Sequence, residues 1–258
     1  MMSISTDTTT NTKRQDDVAG KPLIELSEIR FSWPGGTLPV LEIDHFHLGH
    51  DESIFIRGPS GSGKSTLLGI ITGILLPQDG DVVVVDRRIN DLSGAERDRF
   101  RVDTMGYIFQ MFNLIPYLNI VENVILPCQF SKSRKAQALR NSSTLEEEAL
   151  RLLSHLNLGG SEVQDKVVAE LSVGQQQRVA AARALIGGPR LVIGDEPTSS
   201  LDSEHRESFL RLLFEECSRM GSSLIFVSHD IDLAPMFDRV VELSEINNAP
   251  DGTAGGKE

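Results

Sequence analysis

The feature that most constrains this chain is Gly58-Pro59-Ser60-Gly61-Ser62-Gly63-Lys64-Ser65-Thr66, which fits G-x-x-x-x-G-K-[ST] from Gly58 to Ser65. Before it, Ser53-Ile54-Phe55-Ile56-Arg57 is a β-branched and aromatic run that reads as a strand. After it, Ser65 to Ile71 reads as a buried helix that ends near Gly73 and Pro77. Strand, glycine loop, helix is the order that lets successive backbone N–H groups turn onto an anion, with the helix N-terminus adding partial positive charge. Lys64 is then expected to reach the β- and γ-phosphates, and the Ser65 hydroxyl to hold Mg²⁺. A glycine-rich turn without chemistry is the alternative, and the flanking elements argue against it.

A metal-bound triphosphate needs a second oxygen ligand. Arg190-Leu191-Val192-Ile193-Gly194 runs apolar into Asp195-Glu196-Pro197. Such a run reads as a buried parallel strand, and residues at its C-terminal end fall at the ligand crevice of an open α/β sheet. The adjacent carboxylates can divide the labour, Asp195 toward Mg²⁺ and Glu196 toward an attacking water. Phosphoryl transfer asks mainly for such positioning and charge neutralisation.

A second motif, Leu171-Ser172-Val173-Gly174-Gln175-Gln176-Gln177-Arg178, lies about a hundred residues beyond Lys64. Gln110 follows Tyr107-Ile108-Phe109, Ser200-Leu201-Asp202 follows the carboxylate pair, and Ser228-His229-Asp230 follows an apolar run from Ser223 to Val227. In this order the motifs resemble those of the nucleotide-binding subunits of ATP-binding cassette (ABC) transporters, over about Leu23 to Leu243. The resemblance implies an α/β fold: a P-loop NTPase (RecA-like) core with an antiparallel β subdomain and an inserted α-helical subdomain at about 111–175. It implies ATP and Mg²⁺ as cofactors, with Asp195 holding the metal through water and Glu196 as general base. Gln110 would touch Mg²⁺ or the attacking water, and His229 would contact the γ-phosphate and keep Glu196 in line. Ser172 and Gly174, with Gln175, would cap the γ-phosphate of a second copy's ATP, and Asp202 would lie in the D-loop. One phosphate loop and one signature per chain then imply a head-to-tail homodimer, a closed two-fold arrangement.

Two positions depart from the family pattern. Val173 replaces the first glycine of the signature pair while Gly174 is retained, a change read as tolerated. Gly194 stands where a larger apolar residue is usual, and a loss of strand packing is the expected consequence. The adenine platform of the family is an aromatic near the N-terminus. In Phe31-Ser32-Trp33-Pro34, Trp33 is preferred to Phe31 because it is the only tryptophan and lies beside turn residues.

Composition narrows the rest. The 258 residues suit one α/β unit with a helical insert, and 40% apolar content suffices for a core. No run reaches the ~20 apolar residues needed to span a bilayer. Cys128 and Cys217 alone give no disulfide framework and fit a reducing compartment. A net charge of −12 argues against nucleic-acid binding. Residues 1–20 read as a disordered polar arm without a secretory signal, 21–246 as the ATPase domain and 247–258 as a loose tail.

Elsewhere, Ile24, Leu26, Leu41, Ile43, Phe46 and Leu48 mark half-buried strands. Ser143-Thr144-Leu145-Glu146 reads as a capping box, and Leu145, Ala149, Leu152, Leu153 and Leu156 form one helical face. His45, His47 and His50 tempt a metal reading but are explained as solvated edge positions. Ser131-Lys132-Ser133-Arg134-Lys135 reads as a solvated basic loop.

Met105 to Pro116, followed by Asn123 to Pro127, is similar to the bacterial ABC group serving lipoprotein release, macrolide or peptide export, and cell-division control. This implies a groove over Asn113–Pro127 for a coupling helix of an integral membrane permease, and a peripheral place on the cytoplasmic face of the inner membrane. A non-transport complex regulating the cell envelope or cell division would share the same ATPase chemistry. A DNA-repair ATPase of the structural-maintenance type would need a long coiled coil between the halves, and heptads are absent. A small-molecule kinase would lack the signature and the switch histidine.

Overall fold

The computed structural model describes residues 20–140, 142–160, 166–199 and 203–250. Two sheets organise them. In the first, β1 (Ile24–Phe31) pairs antiparallel with β2 (Leu41–Leu48) on one side and β4 (Asp79–Val84) on the other, and β4 carries the short β5 (Arg87–Arg88). Alternation decides which face is buried: Ile24, Leu26, Leu41, Ile43, Phe46 and Leu48 all point into the core.

The second sheet is wholly parallel. Its strands are β3 (Ser53–Arg57), β6 (Met105–Ile108), β7 (Leu191–Asp195), β8 (Ser223–Val227) and β9 (Arg239–Glu242), in the spatial order β6-β7-β8-β3-β9. It divides the core in two. Ile54 and Ile56 of β3 pack toward the antiparallel sheet and α1 (Lys64–Ile71), while Phe55 between them packs on the opposite face. That second face is covered by α3 (Ile120–Phe130), α5 (Leu145–His155), α6 (Val173–Leu185) and α7 (Ser203–Met220). Among the described residues the other α-helices are α2 (Gly94–Thr104), α4 (Lys132–Ala138) and the terminal turn α8 (Leu243–Ile246). All five residues of the expected α5 face are buried.

Three sequence expectations are corrected. The N-cap of α5 is Thr144, not Ser143: its hydroxyl accepts from Glu147 N at 3.1 Å. The Glu147 carboxylate turns back to Ser143 N rather than to the cap residue, so no reciprocal box forms. The segment read as a solvated basic loop is largely helical, and Arg134 within it is 3% exposed. Its guanidinium donates to the carbonyls of Met105 (3.1 Å), Ala184 (2.6 Å) and Ile186 (2.8 Å), closing the ends of β6 and α6. Composition could not distinguish this arginine from its exposed neighbours, because its partners are backbone groups distant in sequence. Gly194, finally, leaves no packing defect. A Cβ there would lie 2.9 Å from Phe226 Cδ2 and 3.2 Å from Pro197 Cγ, so neighbouring side chains already fill the space.

The expected arm, apart from Gly20, the end of the tail and the segment Ser200–Asp202 lie outside the described residues.

Candidate active site

The open end of the parallel sheet carries the site. β3 ends at Arg57, and the chain turns through the glycine loop into α1, whose N-cap is Gly63 at φ 103°. That left-handed conformation suits glycine, and no side chain caps the helix, so its first N–H groups stay available to an anion. Lys64 is buried, and its ammonium donates to Gly58 O at 2.7 Å and Pro59 O at 2.8 Å. Burial pushes its pKa below the usual lysine range, against the pull of Glu196 and Asp195. The Ser62 hydroxyl oxygen is buried in the same loop without a hydrogen-bond partner.

β7 brings up the carboxylates. Asp195 accepts from the Tyr107 hydroxyl at 3.2 Å. Burial raises its pKa above the usual carboxylate range, and the Tyr107 bond opposes that rise. Glu196 leaves the strand at φ 51°, a left-handed conformation unusual for a residue with a side chain, and its N–H donates to Val227 O at 2.9 Å. Its Oε1 lies 2.6 Å from His229 Nε2, delivered by the end of β8.

Lys64, Glu196 and His229 converge on a cavity of about 360 Å³ lined also by Trp33, Val40 and the loop residues Ser60, Gly61, Gly63, Ser65 and Thr66; Asp195 stands next to Glu196 but is not in its lining. Trp33 is 48% exposed at its mouth, whereas Phe31 is 5% exposed and meets the indole edge-on at 5.1 Å. This arrangement puts the indole, and not the Phe31 ring, in the cavity lining. The chemistry of the donors suits a magnesium nucleotide: α1 offers an uncapped N-terminus, and a hydroxyl (Ser65) and a carboxylate (Asp195) are oxygen donors of the hard kind that Mg²⁺ takes.

Other expected residues are not brought to this cavity. Gln110 is exposed just beyond β6 and is not in its lining. Ser172 and Gln175 form a capping box at the start of α6: Ser172 Oγ accepts from Gln175 N at 3.3 Å, and Gln175 Oε1 accepts from Ser172 N at 2.9 Å. Neither these two nor Gly174 lines the cavity of their own chain. Val173 is exposed at the first position of α6. His45 and His47 are exposed on β2, an edge strand, and His50 Nδ1 lies 3.2 Å from the Arg190 guanidinium.

Three residues escaped the sequence reading. Tyr107 reaches Asp195 across neighbouring strands, Val40 lines the cavity, and Gln177, 1% exposed, donates from α6 to Pro197 O at 3.0 Å. Gln177 lies within the signature stretch, but only the fold shows that it fastens the signature helix to the turn after Glu196.

The ABC transporter family profile matches residues 41–199, which include the phosphate loop, the signature and the carboxylate pair. The chain belongs to the ABC transporter family. It binds ATP and is an ATPase, and its relatives place it with the lipoprotein-release and macrolide-export group. It is 38% identical over 228 residues to the lipoprotein-releasing system ATP-binding protein LolD of Syntrophotalea carbinolica, covering 88% of this chain and 96% of that one. It is 37% identical over 227 residues to the macrolide export ATP-binding/permease protein MacB of Burkholderia thailandensis, covering 87% of this chain but only 33% of that longer protein. An ATP-binding cassette of Methanocaldococcus jannaschii, solved as a dimer in a post-hydrolysis state with ADP and Pi, superposes with a TM-score of 0.73 at 34% identity, over 85% of this chain and 93% of that one. Among the described residues no helix is long and apolar enough to cross a membrane.

Proposed function

We propose that this ABC ATPase works as a head-to-tail homodimer that couples ATP hydrolysis to movement of an integral membrane permease, at the cytoplasmic face of the inner membrane. One observation carries the reading. The cavity holds the phosphate loop, Trp33, Glu196 and His229, yet no signature residue, while Ser172 and Gly174 stand apart at the N-terminus of α6. A second copy would supply that missing wall.

In this reading the loop N–H groups and Lys64 bind the phosphates, and Trp33 stacks on the adenine. Ser65, Asp195 and Gln110 would hold Mg²⁺, which would supply charge neutralisation at the phosphates. Glu196 accepts a proton from water as the water oxygen attacks the γ-phosphorus. The bond to the β–γ bridging oxygen breaks, giving ADP and phosphate. His229 keeps the Glu196 carboxylate aimed. Ser172, Gly174 and Gln175 close on the γ-phosphate from the opposite copy, with Asp202 at the dimer seam.

A permease has a place to dock. Beside the edge strand β6 runs a mainly apolar groove of about 280 Å³, lined by Met105, Phe109, Leu126, Pro127 and Phe130 among others. Met111 and Tyr117 are exposed apolar groups on the same connection, between β6 and α3. An amphipathic helix laid there would bury them.

The test is recovery of tagged Glu196→Gln chain from detergent-solubilised native membranes with Mg-ATP. A co-purifying permease with few membrane spans and a large extracytoplasmic domain is the expected result. A many-spanning permease would instead assign conventional import or export, and recovery of no membrane protein would overturn the coupling role.

A further inference from the structure

The groove beside β6 and the metal carboxylate share one side chain. Tyr107 stands in β6 opposite Ile193 of β7, so its neighbour Ile108 is opposite Gly194, the residue that precedes Asp195. From there its hydroxyl donates to Asp195 Oδ2 at 3.2 Å. Its ring lines the groove, and the Phe109 ring, 37% exposed, packs on it with centroids 4.2 Å apart. Among the described residues this phenol is the hydrogen-bond donor to the Asp195 carboxylate, and it engages one of the two oxygens.

We propose that Tyr107 is a positioning residue for Asp195, braced from the groove by Phe109, so that the geometry of the metal carboxylate depends on how the groove side of β6 is packed. The inference rests on Asp195 as the metal ligand. A carboxylate free to rotate must be ordered when the cation binds, and a hydrogen bond from a buried phenol removes that freedom beforehand. The hydroxyl is the part that acts on Asp195; the ring is the part that the groove can move. Loss of the hydroxyl should therefore weaken cation binding without disturbing the phosphate loop, since Tyr107 does not line the cavity that the loop forms. Loss of the Phe109 ring should weaken it in the same direction and by less, through a looser Tyr107.

The experiment uses the full chain carrying Glu196→Gln, expected to hold ATP with little turnover, and titrates Mn²⁺ against the ATP-loaded protein by electron paramagnetic resonance. Nucleotide binding in EDTA and the melting temperature are measured on the same samples. Tyr107→Phe keeps the ring in the groove and should weaken Mn²⁺ roughly tenfold, the lower end of what loss of a ligand-orienting hydrogen bond costs. ATP binding in EDTA and the melting temperature should stay at the parent values. Phe109→Ala should weaken Mn²⁺ by a smaller factor. Asp195→Asn, measured alongside, tells the two readings apart. If it weakens Mn²⁺ strongly and Tyr107→Phe does not, the positioning role is wrong. If Asp195→Asn also leaves Mn²⁺ binding unchanged, Asp195 is not the metal ligand and the reading beneath it fails. If Tyr107→Phe acts and Phe109→Ala does not, the link to the groove is overturned.

Discussion

His229 Nε2 lies 2.6 Å from Glu196 Oε1, a pair delivered by the ends of the neighbouring parallel strands β8 and β7. The glutamate is held further by its N–H bond to Val227 O and by a left-handed backbone that turns its side chain out of the strand direction. Both residues line the cavity beside Lys64. With Glu196 as the proposed base, Glu196→Gln should keep ATP binding and lower turnover by about 10³-fold, within the range for loss of a general base. Size-exclusion chromatography with Mg-ATP should then show an accumulated dimer. Unchanged hydrolysis would remove Glu196 from the base role.

The separation of Ser172 and Gly174 from their own chain's cavity leads to a second expectation. Differently tagged Ser172→Ala and Lys64→Ala chains, mixed and purified as the heterodimer, contain one composite site with both motifs intact and one with neither. Hydrolysis should reach at most half of the wild-type rate per dimer, and nucleotide should bind with Mg²⁺ at one tight site. Full activity in that mixture would refute a shared site.

The parts of the fold and site that could be read in advance are those whose cause is local in sequence. The strand Ser53–Arg57, the loop and α1 follow one another without interruption, so glycine spacing and apolar runs fixed them together. The α5 face was legible because Leu145, Ala149, Leu152, Leu153 and Leu156 repeat at the helical period. What could not be read depends on partners brought together by the sheet. Tyr107 finds Asp195 only because β6 and β7 are neighbours, and Gln177 finds Pro197 only because α6 crosses the turn after β7. Arg134 was misplaced for the same reason: nothing near it in sequence announces three carbonyls at 105, 184 and 186. The capping of α5 slipped by one residue because Ser143 and Thr144 are chemically equivalent caps, and the choice falls to the entry path of the chain.

Arg134 offers a direct stability test. Its guanidinium is buried and satisfies the carbonyls of Met105, Ala184 and Ile186, and burial pushes its pKa down to about 10 against the opposing pull of Cys128 and Asp103. Arg134→Met keeps much of the side-chain volume but leaves those acceptors without their donor. An unpaired buried acceptor costs about 1–3 kcal/mol, so the total should be about 3 kcal/mol or more by urea denaturation. Arg134→Lys should recover only part of it, since an ammonium cannot present the planar fork that reaches three carbonyls at once. A loss below about 1 kcal/mol for the methionine variant would mean that water replaces the guanidinium there.

Gly194 turns a departure from the family pattern into a packing prediction. The position precedes Asp195 in β7, and the place of its Cβ is taken by the Phe226 ring from β8 and by Pro197. Phe226 in turn belongs to an aromatic cluster with Phe55 and Phe237, so it has little room to withdraw. Gly194→Leu, which restores the size usual in the family, should therefore destabilise this chain by about 1–3 kcal/mol through overpacking. Phe226→Ala alone should cost about 3–5 kcal/mol by opening a cavity. If the two residues compete for one volume, the double variant should lose clearly less than the sum of the single losses, because the leucine fills what the phenylalanine vacates. Additive losses in thermal or urea unfolding would show that the two positions do not share that space, and the glycine would then need another explanation.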